Sequence, residues 1–308
     1  MSDVEVRLFR RGDREQVTEL VNAHAAAVVP GLSISVSTVL SQLERQPDEF
    51  IVDPWVAERQ TLVAEQRQRV AAAAHLLRYA PDDRVSASYR GSGEIRWLVF
   101  WPEAGGDATE AAQQLMTACL RLLDSWAVSG QSAAGDLPVP GVFGVPGQWA
   151  HVRTLYERSG FRHVGHTELV FLARVEDLAR PSAPLPGLSV RRSVGTNGTR
   201  FSAVLSDEVV GYLEIEIFED GERRLRHSGW ADIGNLGVAA QHRRRGIATW
   251  LLGQAARWLD LAHVDRLLAY TYAEGSDGTG QSYDEDRAFL QASPFTELTQ
   301  TKRGWTRS

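Results

Sequence analysis

Hydrophobic and polar positions divide the chain into two stretches that begin alike. Residues 4–10 (VEVRLFR) and 188–192 (LSVRR) alternate apolar and polar side chains, the period-two pattern of a half-buried strand. In the first stretch Val17, Leu20, Val21, His24 and Val28 then recur at helical spacing, and Pro30-Gly31 ends that helix. A second short helix is predicted from Ser37 to Arg45, closed by Pro47. Strands are predicted near 50–58, 61–65 and 68–79, although the last, RVAAAAHLLRY, is also compatible with a helix by propensity. A strand at 93–101 (GEIRWLVFW) precedes an amphipathic helix from Thr109 to Trp126, with Leu115, Cys119, Leu122 and Trp126 among its apolar positions. A Gly/Pro/Ser-rich loop at 129–148, a helix at 149–159 and strands near 161–165 and 167–175 complete this stretch.

The second stretch is shorter at its start. Only VGTNGT separates LSVRR from the hairpin pattern of FSAVLS and VVGYLEIEIF, so the two early helices of the first stretch have no counterpart. At 1.5 Å per residue, the few residues at 193–199 cannot build them. A strand at 231–238 (ADIGNLGV), a basic turn QHRRRG and a helix from Ile247 to about Ala262 follow. A strand (RLLAYTYA), a helix (YDEDRAFLQA) and a last strand pair end the pattern. Three prolines at 181, 184 and 186 mark the break, which predicts domains at 1–180 and 188–308. The fold class is α+β, with a mixed α/β sheet in each half.

A length of 308 residues agrees with about two domains. With 43% hydrophobic and 23% charged residues, the chain is neither collagen-like nor disordered. A net charge of −6 argues against a nucleic-acid-coating protein. No apolar run is long enough to span a bilayer, and the first residues do not read as a secretory signal, so no membrane partner and a cytoplasmic location are expected. Cys119 stands alone, which excludes an intrachain disulfide, and its apolar helix face suits an inert core thiol. His163 and His166 lack the surrounding ligands of a metal site, so no metal is expected. Lys302 is the only lysine among 33 basic residues, a bias that fits a GC-rich coding sequence.

The chemistry-bearing segment is LGVAAQHRRRGIATW, 236–250. A strand ends at Val238 and a helix begins at Ile247; between them lie Arg243, Arg244, Arg245 and Gly246. A helix N-terminus offers unpaired N–H groups and a positive dipole end, glycine permits close approach, and arginines add forked donors, which together suit a phosphate. Arg243-x-x-Gly246-x-Ala248 resembles the R/Q-x-x-G-x-G/A signature of the GNAT superfamily of acyl-CoA-dependent acyltransferases, with Leu236 and Val238 in place of its L-x-V strand. The resemblance implies two GNAT-like domains in tandem, the second lacking its first two helices. It implies acetyl-CoA as co-substrate, with pantetheine along Leu236, Gly237 and Val238. It also implies pyrophosphate at the turn from Arg243, Arg244, Arg245 and Gly246 to Ile247, Ala248 and Thr249. Ala240 stands where that family usually has proline.

The first half shares the family's late segment in Tyr156, Gly160 and Phe161 but not its phosphate loop. It carries Glu103, Asp107 and Glu110 where the second half has arginines, and like charges repel a pyrophosphate; it reads as a degenerate copy that does not bind cofactor. In the second half the family's tyrosine, a frequent general acid, falls on Leu290, which leaves Tyr283, Tyr272 and Tyr270 as candidates. Asp232 lies eleven residues before Arg243, where the family often places a carboxylate base; Glu94 is its analogue in the first half. Glu214 and Glu216 alternate along one strand and read as a solvated face. The resemblance implies acetyl transfer to a primary amine of a small molecule, by a monomer or a homodimer. The alternatives are a non-catalytic acyl-CoA sensor, or a protein or aminoglycoside-type acetyltransferase, to whose cationic substrate Asp284, Glu285 and Asp286 would suit. The first domain is expected to close the acceptor side left open by the missing helices.

Overall fold

The computed structural model describes residues 4–44, 55–101, 105–139, 141–196, 198–217, 229–274 and 283–307. In chain order the first elements are β1 (Val4–Leu8), α1 (Arg14–Val28), α2 (Val36–Leu43), β2 (Val56–Gln66), β3 (Arg69–Tyr79), β4 (Gly93–Phe100) and α3 (Gly105–Ser125). Then come β5 (Gln131–Ala133), β6 (Val145–Pro146), α4 (Ala150–Arg158), β7 (Arg162–His163), β8 (Thr167–Arg174), β9 (Ser189–Val194), β10 (Thr199–Leu205) and β11 (Glu208–Ile217). The chain continues with β12 (Trp230–Val238), α5 (Ile247–Leu261), β13 (Arg266–Tyr272), α6 (Tyr283–Ala292), β14 (Thr296–Lys302) and β15 (Trp305–Arg307).

These elements form two compact units, Met1–Thr167 with Thr299–Ser308, and Glu168–Leu298. The expected boundary at residues 181–186 is therefore displaced. The proline-rich segment is not a free spacer, because it is packed within the second unit. A Cβ on Gly253 of α5 would lie 2.7 Å from the Ala179 carbonyl oxygen and 3.1 Å from Pro181. Arg180 pairs with Asp260 at 2.7 Å, and Leu178 and Leu188 sit in the same core as α5.

The first unit has a sheet in the order β1-β2-β3-β4-β5-β15-β7. Its one parallel pair, β4 with β5, runs from Gly93 opposite Gln131 to Ile95 opposite Ala133. β3 is a strand despite its alanines. It lies between β2 and β4 and is packed on by α1 and α3, so the small side chains of Ala72, Ala73 and Ala74 are buried on both faces. Burial between elements here overrides helix propensity. The expected strand at 50–58 begins at Val56 among the described residues and runs unbroken through 61–65.

The second unit's sheet runs β9-β10-β11-β12-β13-β8, antiparallel except between β12 and β13. β8, which the sequence assigns to the first half, pairs along its length with β13. No helix separates β9 from β10: Gly195 donates to the Gly198 carbonyl in a tight turn. Gly198 has φ +83°, and a Cβ there would strike the Ile215 carbonyl, so glycine is required. α5 buries Ile247, Leu251, Leu252, Ala255 and Leu259 against Phe201, Leu213, Ile215 and Ala231. Among the described residues no helix is long and apolar enough to cross a membrane.

Candidate functional site

β12 and β13 pair over three residues only, Trp230 to Asp232 against Arg266 to Leu268. Beyond Asp232, β12 continues to Val238 with β11 alone beside it, so on the β13 side its backbone has no strand partner among the described residues. The strand then enters a turn. Arg243 donates through Nε to the Val238 carbonyl at 3.2 Å, Arg244 has φ +59°, and Gly246 has φ +81° as the residue preceding α5. Two left-handed residues in one turn direct the first amides of α5 away from the sheet. A Cβ on Gly246 would meet only Pro184, at 3.4 Å, so the backbone is approachable from the other side.

A cleft of about 360 Å³ opens there. Nine of the ten residues that the signature assigns to the cofactor line it: Leu236, Gly237, Val238, Arg243, Arg244, Gly246, Ile247, Ala248 and Thr249. Arg245 is exposed on the same turn but not on the wall. Gly237 is glycine for a further reason: a Cβ would lie 3.0 Å from the Tyr212 ring. The opposite wall is α6, through Glu285, Asp286, Ala288, Phe289 and Ala292. The sequence offered Asp284, Glu285 and Asp286 only as acids suited to a cationic substrate; the spacing of 285, 288, 289 and 292 carried the missing signal of one helix face. Glu285 stands 3.7 Å from Arg243, and the buried Nδ1 of His242, also on the wall, has no hydrogen-bond partner.

Asp232 sits at the last paired position, opposite Glu216 on β11 and Leu268 on β13. Its Oδ1 is buried and accepts no hydrogen bond. Burial, with the Glu216 charge added, pushes its carboxyl up to about 7. Tyr272 lies four residues past Leu268, roughly 13 Å farther along β13. Tyr272 and Tyr283 pack edge to face, 5.0 Å between centroids, and Tyr270 lies nearer to Asp232 with its hydroxyl buried. Leu290, at the family's tyrosine position, is a core residue. Glu214 is not a solvated residue. It is 0% exposed, and its Oε1 accepts from Arg200 Nε at 2.7 Å and from the Thr196 amide, because Arg200 stands opposite it on β10 and the turn at Gly195 and Thr196 closes over its carboxylate.

In the first unit Glu94 is 5% exposed and already engaged. Tyr79 donates to it at 2.5 Å, and Arg96 lies 3.6 Å away, itself 3.2 Å from Asp136. Burial raises the Glu94 carboxyl while Arg96 opposes that shift. Tyr156 is fully buried and donates to the Ala134 carbonyl. Of the acids expected near its loop, Glu110 is exposed and accepts from Gln114, whereas Glu103 and the Asp107 side chain lie outside the described residues. Burial pushes the Cys119 thiol up. Among the described residues no group of three metal-ligating side chains comes together.

Residues 172–278 match the model of the acetyltransferase (GNAT) family. That span, about a third of the chain, holds the turn, α5 and Asp232; the second unit carries a GNAT acetyltransferase domain. No curated protein matches the chain by sequence. Among solved structures, a tandem GNAT protein from the clavulanic acid biosynthesis pathway is similar at TM-score 0.60 and 13% identity, covering 99% of this chain and 98% of that one. A GCN5-related glucosamine N-acetyltransferase region of a fungal multi-domain β-N-acetylglucosaminidase is similar at TM-score 0.60 and 14% identity. That likeness covers 99% of this chain, which spans 38% of the fungal protein's length. A GCN5-related N-acetyltransferase from Sphaerobacter thermophilus gives TM-score 0.54 at 15% identity, covering 98% and 94%. At these identities the likeness is one of fold, and that fold is two GNAT-like domains in tandem.

Proposed function

We propose that the second unit binds acetyl-CoA and transfers its acetyl group directly to a primary amine of a small molecule. The observation that carries this reading is the alignment of one strand with two functions. β12 leads from Asp232, whose buried Oδ1 has no donor among the described residues, along an open backbone edge, into the arginine–glycine turn at the start of α5. The residues suit the co-substrate: the turn offers amides, Arg243 and Arg244 to a pyrophosphate, and the open edge at 233–238 offers backbone groups to an extended amide chain. Acetyl-CoA supplies an activated thioester. Asp232 accepts a proton from the substrate ammonium, directly or through one water, which frees the amine lone pair. Its raised proton affinity makes it an effective base near neutrality. The amides beyond Ile233 polarise the carbonyl as charge develops on its oxygen. Holding both reactants along β12 supplies much of the rate. Tyr272 or Tyr283 returns a proton to the departing sulfur.

The buried Leu290 favours a second reading, an acyl-CoA sensor without turnover. One experiment separates them. The full chain is mixed with acetyl-CoA and a panel of primary amines, and free thiol release is followed beside calorimetric binding. Thiol release that requires an amine supports transfer, binding without release supports the sensor, and the absence of binding refutes both.

A further inference from the structure

The first unit has a cleft of its own, about 310 Å³, where β4 ends between α3 and α4. Its wall carries Phe100 from β4, Thr109 and Gln113 from α3, and His151, Thr154 and Arg158 from α4. The charge pattern differs from the cleft in the second unit. Among the described residues, which leave out Glu103 and the Asp107 side chain, no acidic side chain lines it and Arg158 makes no ion pair. The remaining polar groups are neutral, and Phe100 contributes an apolar face.

Behind the wall His151 is tied to a second histidine. His24, 2% exposed, approaches it Nε2 to Nε2 at 3.0 Å. His24 Nδ1 faces the Leu20 carbonyl at 2.9 Å and must donate to it, since a carbonyl only accepts. The neutral His24 therefore presents a lone pair at Nε2, and His151 must supply the hydrogen between the rings. That fixes the neutral His151 as the Nε2–H tautomer and leaves its lone pair on Nδ1. His151 can gain a second proton without disturbing the pair, because Nε2–H keeps donating to His24 while a new Nδ1–H becomes available.

We propose that this cleft binds a small organic carboxylate, gripped by Arg158, and that His151 takes up one proton from solvent as the anion enters. Arg158 offers a planar fork that matches a carboxylate, and the cleft's size is at the low end for small-molecule sites. Without an anion, burial holds His151 below the ordinary imidazole range, and burial holds His24 at about 4. The groups facing His151 are His24 from α1, Arg158 from α4, Thr109 and Gln113 from α3, and the Phe100 carbonyl from β4. Burial disfavours a charge on His151, and the Phe100 carbonyl favours it. A carboxylate beside the ring tips that balance toward the imidazolium.

The test is calorimetric titration of the full chain with propionate and with benzoate, at several pH values and in two buffers of different ionisation enthalpy. Saturable binding is expected, with proton uptake and an affinity that falls up to about tenfold per pH unit above neutrality. Arg158→Gln, an exposed position, should weaken binding about tenfold or more. His151→Gln should abolish the proton uptake and flatten the pH profile. Absence of saturable binding by either acid overturns the proposal, as does full affinity in Arg158→Gln. Binding without proton uptake overturns the role of the histidine pair. None of these results depends on whether the second unit binds acetyl-CoA.

Discussion

β4–α3 in the first unit and β12–α5 in the second are built on one plan. Each strand pairs in parallel with the next for three residues, each places an acid among or beside those residues, and each leads to a long amphipathic helix. What differs is the neighbours. Glu94 is claimed by Tyr79 and Arg96, so its charge is spent on holding the fold. Asp232 has an Oδ1 with no donor among the described residues. A buried acceptor left without a donor costs about 1–3 kcal/mol, a cost that a bound donor would offset. The same place in the same fold serves structure in one copy and reactivity in the other, and the hydrogen-bond partners decide which.

The strongest way to break that comparison is to neutralise both acids. Asp232→Asn should lower kcat for acetyl transfer by about 10²–10⁴ while acetyl-CoA affinity stays within twofold or so. Glu94→Gln should leave kcat almost unchanged but destabilise the protein by roughly 2–4 kcal/mol, read by denaturant unfolding, because Arg96 loses a buried partner. Equal losses of kcat in both variants would erase the distinction drawn here.

The wild-type rate should rise with pH and level off above about 7, as Asp232 gives up its proton. Stability moves the other way. Between 3.8 and about 7 the folded state holds this proton more tightly than the unfolded one, so the contribution of Asp232 to stability falls as pH rises across that window. Asp232→Asn should therefore be more stable than wild type at pH 8, by about 1–2 kcal/mol after screening, with the difference shrinking as pH falls through that window and vanishing below 3.8.

Next in size is Gly246→Asp. A carboxylate on a residue at φ +81° combines left-handed strain with repulsion at the anion site, and affinity for acetyl-CoA should fall about a hundredfold. The smallest effect is Ala240→Pro, the residue usual in the family. Ala239 before it is already extended, at φ −54° and ψ 137°, so the substitution should raise stability by about 0.5 kcal/mol in thermal unfolding and leave binding unchanged.

Much of this was legible from residue order. The turn at 243–248 announced itself because glycine, arginines and a helix start are all local properties, and the structure brings nine of the ten residues to one cleft. The missing helices after β9 followed from chain length alone. The burial of Glu214 was not legible, since it depends on Arg200 across the hairpin and on the turn at Gly195 and Thr196 folding over the outer face of β11. That α6 faces the turn at 243–248 was not legible, because its helix face could be counted but not assigned a neighbour. The His24–His151 contact spans 127 positions of sequence, and no periodicity reports such a distance.

β15 fills the place between β5 and β7 in the first unit's sheet, and β7 reaches that sheet only through it. During synthesis, then, the first unit's sheet is completed only after the second unit has been made. Its sheet must wait, with a strand's width left open between β5 and β7, while the whole second unit leaves the ribosome. Nor can the chain be cut into two self-sufficient halves at its prolines. A piece ending there lacks Trp305, which is buried against Tyr156 and His163, and a piece beginning there lacks β8, the partner of β13. The two copies of the fold are in this sense one folding problem, and β15 is the strand that ties it together.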